Sequence, residues 1–371
     1  MPSTAIRQSV IARARKVVVK VGTSSICHET GGLNRPAVAE LARQIAAAMG
    51  RGVSVTLVAS GAIGAGRAEL KLARRPTAMA ELQAVAAVGQ GQLMRELHDI
   101  FEEVGIPVAQ VLLTRDDFED RARYLNIRNT LAALEKFHAL PVINENDTVA
   151  VDEIRYGDND MIAALLANML RADLLIFLTT AAGLLKDGQV VDVVHEIGPE
   201  EMKLVSGERS RLGSGGMGSK LAAAGVVMKA GEAAVIASAA EERVVERILA
   251  GEKVGTVFVP ARRRMTSRRR WIGQASRSEG KILVDDGAAA ALLQKGKSLL
   301  PSGVKGVLGE FERGATVSII DRAGRQIARG LVNYSSRQID LIKGLKTTQI
   351  AKALGGEGPD EVIHRNDMTV G

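Results

Sequence analysis

The chain is short of cysteine and of aromatic residues. Its one cysteine, Cys27, excludes an intrachain disulfide. The five histidines, His28, His98, His138, His195 and His364, are scattered. No Cys/His set has the spacing of a zinc site. Aromatic residues make up 3% of the 371 positions, so a core must be built from aliphatic and small side chains. No apolar run reaches the roughly 18 residues of a membrane span, because Thr179 and Thr180 interrupt the one between Leu174 and Leu185. The first sixteen residues carry Arg7, Arg13, Arg15 and Lys16 and no acid, but lack the apolar block of a secretion signal. They read as a short basic lead into the first strand, and the chain as soluble, cytoplasmic and free of membrane. What is abundant is ordinary globular material, 46% hydrophobic and 25% charged, which excludes a mostly disordered chain.

The net charge is +7, and it is unevenly placed. Residues 1–260 hold 29 basic and 31 acidic side chains, whereas residues 261–371 hold 20 and 11. Arg262, Arg263, Arg264, Arg268, Arg269 and Arg270 supply six of the late positive charges. An argument from overall basicity to nucleic acid therefore fails for the larger part of the chain.

Two textures divide the sequence. Up to residue 260, short runs rich in Val, Ile and Leu (Val17–Val21, Val53–Ala59, Pro107–Leu113, Pro141–Asn144, Leu174–Thr179, Ala233–Ala237) alternate with longer Ala-rich stretches of helical spacing. Strands apolar on both faces suit a parallel sheet covered by helices on each side. The reading is an α/β fold, a three-layer αβα sandwich around a mainly parallel sheet, over residues 1–260. Residues 261–277 read as an Arg-rich linker. Residues 278–354 read as a small β-rich domain, with runs at Lys281–Val284, Val304–Leu308, Ala315–Asp321 and Gln326–Tyr334, one helix at Gly287–Gln294, and a hairpin turn through Asp321–Arg325. Residues 355–371 are an acidic tail, mobile or docked on an edge.

Four motifs carry chemistry. In Val17-Val18-Val19-Lys20-Val21-Gly22-Thr23-Ser24, a lysine near the end of a buried strand either snorkels to the rim or meets an anion. Ligands of open parallel sheets bind beyond the strands' carboxyl ends, where Lys20 falls. In Ala59-Ser60-Gly61-Ala62-Ile63-Gly64-Ala65-Gly66, a strand runs into a glycine loop that opens a helix. Such a start binds carboxylates or phosphates through free N–H groups; close helix packing explains the glycines equally well. The dinucleotide spacing GxGxxG is absent.

Pro141-Val142-Ile143-Asn144-Glu145-Asn146-Asp147-Thr148, with Gly157-Asp158-Asn159-Asp160, gathers acids and amides just past one strand. Capping of the next helix accounts for Asp158 or Asn159, but a strand end has no need of Asn144 and Asp147. A polar ligand site is the better reading. Finally, Leu212-Gly213-Ser214-Gly215-Gly216-Met217-Gly218-Ser219-Lys220 offers four glycines, then Ser and Lys. It is not a Walker A loop, because Ser219 separates Gly218 from Lys220, and protein-kinase signatures are missing. Lys220 near a helix start, where the dipole disfavours a cation, asks for an anionic partner.

Two lysines and two glycine loops against one acid/amide cluster suit the transfer of a phosphoryl group onto a small zwitterion. A carboxylate acceptor is already ionised at neutral pH and needs no general base, which fits the absence of histidine from these motifs.

In order, VVVKVGTS, VASGAIGAG, LLTRDDFEDR, PVINENDTVA, GDND and GSGGMGSK resemble the glutamate 5-kinases of the amino acid kinase family over about residues 16–260. GKILVDDGAAAALLQKGKSLLPSGV and RGATVSIID resemble a PUA domain, a type that elsewhere binds structured RNA. The resemblance implies ATP-dependent phosphorylation of L-glutamate to L-glutamate 5-phosphate, the first step of proline synthesis, with Mg²⁺, proline as feedback inhibitor and a dimer or tetramer. It assigns Lys20, Lys220 and Asp160 to catalysis, the lysines neutralising the phosphoryl group and Asp160 holding them. It assigns Ser60, Gly61, Ala62, Asn144, Asp147 and Asn159 to glutamate, with Asp147 facing the α-ammonium. It assigns Lys20, Thr179, Thr180, Ser214, Gly215, Gly216, Met217, Gly218, Ser219 and Lys220 to ATP, and no side chain to a metal. One departure is Thr179-Thr180-Ala181-Ala182-Gly183-Leu184-Leu185, where the family commonly has Asp after the first Thr and Tyr after Gly-Leu. If the family's Asp acts through its backbone the change matters little, and if it holds a metal-bound water the affinity for ATP falls; the retained glycine favours the first.

Two alternatives remain at this stage. One is a kinase of N-acetylglutamate or aspartate, against which the PUA-like part and the stretch from Asn144 to Glu153 argue. The other is an RNA-binding protein with a vestigial kinase fold. Residues 271–354 do carry 13 bases and 7 acids, but only Trp271, Phe311 and Tyr334 for stacking.

Overall fold

A computed structural model describes residues 3–11, 14–150, 159–205, 216–260, 271–275, 277–356 and 358–370. The chain divides into two compact units, Met1–Asp117 with Ala122–Arg264, and Phe118–Arg121 with Met265–Gly371.

The first unit is built on a sheet of eight strands in the order β3-β4-β2-β1-β5-β9-β10-β8. In chain order the elements up to β4 are α1 (Ser3–Ile11), β1 (Lys16–Val21), α2 (Thr23–Ile26), α3 (Arg35–Gly50), β2 (Ser54–Ala59), α4 (Ala62–Glu69), α5 (Met79–Glu102), β3 (Val108–Leu113), α6 (Asp116–Glu119), α7 (Arg121–Lys136) and β4 (Leu140–Glu145), of which only Phe118–Arg121 count with the second unit. After β4 come α8 (Asn159–Leu170), β5 (Leu174–Thr179), β6 (Leu185–Lys186), β7 (Gln189–Val190), β8 (Val193–Val194), α9 (Pro199–Lys203), α10 (Met217–Ala230), β9 (Ala233–Ser238), α11 (Val244–Leu249) and β10 (Thr256–Phe258). The β6–β7 hairpin stands apart from the main sheet. Strands β3, β4, β2, β1, β5 and β9 are parallel, and β10 returns antiparallel to β9.

Strand alternation sorts β1 between two helical layers. Val17, Val19 and Val21 join Leu41 and Ile45 of α3 and Leu93 and Leu97 of α5 in one buried cluster. Val18 and Lys20 lie on the other face, over which α8 packs. Helix α8 is buried almost all round, from Ile162 to Met169, which is why its sequence is apolar on every side. The basic lead is more than a lead. Residues Ser3–Ile11 form a helix whose Arg7 is fully buried, a placement that its charge pattern gave no reason to expect.

Glycines set the distance between α4 and α5. A Cβ on Gly66 would stand 1.9 Å from the Val85 carbonyl oxygen, and one on Gly89 1.8 Å from that of Ala62. The two helices therefore cross backbone against backbone, and only glycine fits at either point.

The second unit is a five-stranded sheet in the order β12-β11-β13-β14-β15. Its elements are β11 (Gly280–Val284), α12 (Asp286–Lys295), β12 (Val304–Leu308), β13 (Thr316–Ile320), β14 (Gln326–Leu331), α13 (Ser336–Ile342), α14 (Ile350–Leu354) and β15 (Met368–Val370). Asp285 caps α12, accepting from Ala288 N at 2.8 Å. Asp321 closes the β13–β14 turn by accepting from the backbone N of Ala323 and Arg325, each at 2.9 Å. The acidic tail is docked, since β15 pairs with β14 and Val362 and Ile363 are fully buried. Of the Arg-rich stretch, residues 261–270 lie outside the described residues, while Trp271 and Ile272 are buried.

Candidate active site

The carboxyl ends of β1, β2, β4 and β5 bring the predicted side chains to one end of the sheet. At the centre is Asp160, in the first turn of α8. Its Oδ1 lies 2.8 Å from Lys20 Nζ, and its Oδ2 lies 3.1 Å from Lys220 Nζ. Ser219 Oγ donates to the same Oδ2 at 2.6 Å. Relative exposures of 5% for Lys20, 4% for Lys220 and 1% for Asp160 remove this cluster from bulk water. Two ammonium groups and one carboxylate leave a buried excess of one positive charge, which asks for an anion.

The titration of the cluster follows. Burial pushes the Asp160 carboxyl up, but the two ammonium groups and the hydrogen bonds from Lys20 and Ser219 outweigh it and hold it below the usual carboxylate range. Burial lowers Lys220, Asp160 opposes that, and Lys20 adds to it, so the net direction is down. Position alone left Lys20 between a snorkelling lysine and an anion ligand. Its burial on Asp160 excludes the first.

A chain of amides lies beside the cluster. Asn159 Nδ2 donates to Ser60 Oγ at 3.1 Å and to Asn144 Oδ1 at 2.9 Å. Glu145 N donates to Asn144 Oδ1 at 2.9 Å and to Asn159 Oδ1 at 3.2 Å. Asn159 thus ties β2, β4 and α8 together and is no simple helix cap. Asn144 Nδ2 donates in turn to Gln90 Oε1 of α5 at 2.8 Å. Gln90 is a residue the motifs missed, and its buried Nε2 has no hydrogen-bond partner among the described residues. Gly61 takes φ +127°, and a Cβ there would meet Cys27 Sγ at 3.0 Å, so the turn from β2 into α4 requires glycine. It delivers the N–H groups of Gly61 and Ala62 beside Ser60. Asp147, half-buried in the loop after β4, has its carboxyl pushed up to about 6 by burial, with Arg75 opposing.

On the far side of β1, Thr179 ends β5 and Thr180 is exposed beyond it. Ala239 N donates to the Thr179 carbonyl at 2.7 Å. Gly183 is kept because a Cβ there would stand 2.7 Å from Thr256 Oγ1. Gly216 N-caps α10, whose first turn holds Met217, Gly218, Ser219 and Lys220. Ser214 and Gly215 lie outside the described residues.

Among the described residues, no three His, Cys, Asp or Glu side chains converge into a metal-binding group. The carboxylate of Asp160 is taken up by lysines. Among the described residues these side chains do not fit a resident Mg²⁺. No helix among the described residues is long and apolar enough to cross a membrane.

Comparison with known proteins matches two family models. The amino acid kinase family matches residues 15–238, and the PUA domain matches residues 280–354. A glutamate 5-kinase of Caldanaerobacter subterraneus subsp. tengcongensis is 47% identical over 362 residues, 96% of this chain and 97% of the relative. One of Moorella thermoacetica is 46% identical over 97% of each chain. One of Geobacter sulfurreducens is 40% identical, over 98% of this chain and the whole of the relative.

Proposed function

The chain belongs to the amino acid kinase family, among its glutamate 5-kinases, and from that premise we propose how its own residues transfer a phosphoryl group from MgATP to the side-chain carboxylate of L-glutamate. The observation that carries this reading is the sharing of Asp160 by Lys20 and Lys220. Fixed and dehydrated, the two ammonium groups face the site where charge spreads over the phosphoryl oxygens, and they need no reorganisation during transfer. Asp160 holds them in place against their mutual repulsion. Met217, Gly218 and Ser219 open α10 with backbone N–H groups toward the polyphosphate, with Ser214, Gly215 and Gly216 before them. Thr179 and Thr180 line the nucleotide from the other side. Mg²⁺ enters as part of the substrate MgATP.

Glutamate binds across the amide chain. Ser60 and the N–H groups of Gly61 and Ala62 receive its reacting carboxylate. Asn144 and Asn159 orient it, and Asp147 pairs with its α-ammonium. The acceptor is already an anion, so no side chain has to remove a proton; alignment and charge neutralisation do the work. The same reading includes residues 1–260 as the catalytic domain, 261–277 as linker, 278–354 as the PUA-like domain and 355–371 as its tail. It also includes a cytoplasmic homo-oligomer inhibited by proline.

The product is an acyl phosphate, which hydroxylamine attacks to give γ-glutamyl hydroxamate and inorganic phosphate. Incubating the full chain with MgATP, L-glutamate and hydroxylamine should yield hydroxamate in step with ADP. ADP release without hydroxamate would place the phosphoryl group elsewhere and overturn the reading.

A further inference from the structure

We propose that Arg7 of α1 is a positioning residue for the nucleotide side of the site, because its buried guanidinium clamps together the two segments that fix the turn after β5. The inference rests on the reading above that Thr179 and Thr180 line the nucleotide.

Arg7 is the largest fully buried side chain in the described residues. Its Nε donates to Asp192 Oδ1 at 2.7 Å, and its Nη2 to the same oxygen at 2.5 Å. Nη2 also donates to the carbonyls of Asp192 at 3.0 Å and Gly255 at 2.5 Å. Nη1 donates to the carbonyls of Val254 at 2.9 Å and Glu252 at 3.4 Å. A guanidinium fork has five N–H donors, and each of its three nitrogens is engaged here. Ile11 and Val10 also anchor this helix in the core, so the Arg7 contacts add a fixation of the segments it reaches.

The clamped points lie on two segments that border the turn after β5, one at Asp192 and the other at Val254 and Gly255. Asp192 directly follows Val191, whose N donates back to the Leu184 carbonyl at 2.8 Å. Gly255 directly precedes Thr256, whose Oγ1 accepts from Leu184 N at 2.9 Å. Gly255 is itself wedged against β9, since a Cβ there would stand 2.2 Å from the Ile236 carbonyl oxygen. Leu184 is thus held by a side chain and a backbone whose neighbours both end on Arg7. Thr179 and Thr180 begin the same segment. The glutamate side hangs instead from β2, β4 and α8, through the amide chain of Asn144 and Asn159.

The arrangement predicts a split between the two substrates. In the full-length chain, Arg7→Met and Thr256→Val should each raise the KM for MgATP about fivefold or more, the loss expected on removing a buried hydrogen-bond partner. The KM for glutamate should stay within about twofold. Thr256→Ser, which keeps the hydroxyl, should restore the MgATP value. A purely structural role would lower the melting temperature and leave the ratio of the two KM values unchanged. That result, or no change in the MgATP KM, would overturn the proposal. If Arg7→Met does not fold, the Thr256→Val and Thr256→Ser pair decides. Thr180→Trp tests the underlying reading separately. If it leaves the MgATP KM alone while Arg7→Met still acts selectively, the nucleotide moves off Thr180 but the clamp stands.

Discussion

Lys220 Nζ, in the first turn of α10, lies 3.1 Å from Oδ2 of Asp160, in the first turn of α8, and this contact brings a glycine loop and an acid/amide loop to one point. Its energetics are lopsided. Losing either lysine leaves Asp160 paired with the other at zero net charge. Losing Asp160 leaves two buried ammonium groups with no counter-charge.

Lys20→Ala and Lys220→Ala should therefore each lower kcat by about a hundred- to a thousandfold, the usual loss for one preorganised charge donor, with little loss of folding. Asp160→Asn should both inactivate the enzyme and destabilise it by about 3–5 kcal/mol, the cost of breaking a buried ion pair from one side. Steady-state kinetics and urea unfolding on the three variants check the contrast. Wild-type-like turnover in either lysine variant would remove the assigned roles.

Two pH limbs should appear. The folded Asp147 carboxyl titrates at about 6. Its protonated form carries no charge to pair with an ammonium, so kcat/KM for glutamate should fall as pH drops below about 6. Asp147→Asn should raise the KM for glutamate and flatten that acid limb. At the other end, Lys220 is lowered from the ordinary 10.5, so activity should decline with rising pH before the normal lysine range. A pH–rate profile of the wild type beside Asp147→Asn measures both.

Gln90 should matter although it belongs to no motif. Gln90→Leu removes the acceptor that orients Asn144, at about 1–2 kcal/mol for a lost hydrogen bond in a buried network. The KM for glutamate should rise about five- to thirtyfold, with the KM for MgATP unchanged. Equal changes in both would assign Gln90 to general packing.

Gly89→Ala adds a Cβ 1.8 Å from the Ala62 carbonyl oxygen. Overpacking of this kind costs about 1–3 kcal/mol or more and should push the start of α4 away from Ser60. Thermal unfolding should drop, and the KM for glutamate should rise with it. Gly91→Ala, on the same helix with open space around the added atom, should leave the KM for glutamate unchanged and raise thermal stability slightly, since alanine favours the helix by about 0.5–1 kcal/mol.

These residues also show where the sequence is readable. Strand β5 was expected over Leu174–Thr179 and β12 over Val304–Leu308, and both are found there: the first is a continuous apolar run, the second a short Val/Leu run set off by turn residues. Lys20, Ser60, Asn144 and Lys220 were legible because each breaks a local pattern at a strand end or helix start. Gln90 was not, since a glutamine on an amphipathic helix breaks nothing and its partner Asn144 is distant in the chain. Arg7 was illegible for a related reason. In a basic lead it looks like one more solvated charge, and its five acceptor atoms come from residues 192–255. The short elements β6, β7 and β8 were missed because two-residue strands carry no periodicity. The tail strand β15 was read only as an edge-docked or mobile end, because three residues do not specify a partner.

The most direct measurement is ADP release by the full chain with MgATP and, separately, L-glutamate, N-acetyl-L-glutamate and L-aspartate, with and without proline. N-acetylation removes the ammonium that Asp147 is assigned to hold, and aspartate is one methylene shorter than glutamate between its reacting carboxylate and its ammonium. The account predicts turnover with L-glutamate, suppressed by proline, and background rates with the other two. Turnover of N-acetyl-L-glutamate or L-aspartate with none of L-glutamate would contradict it.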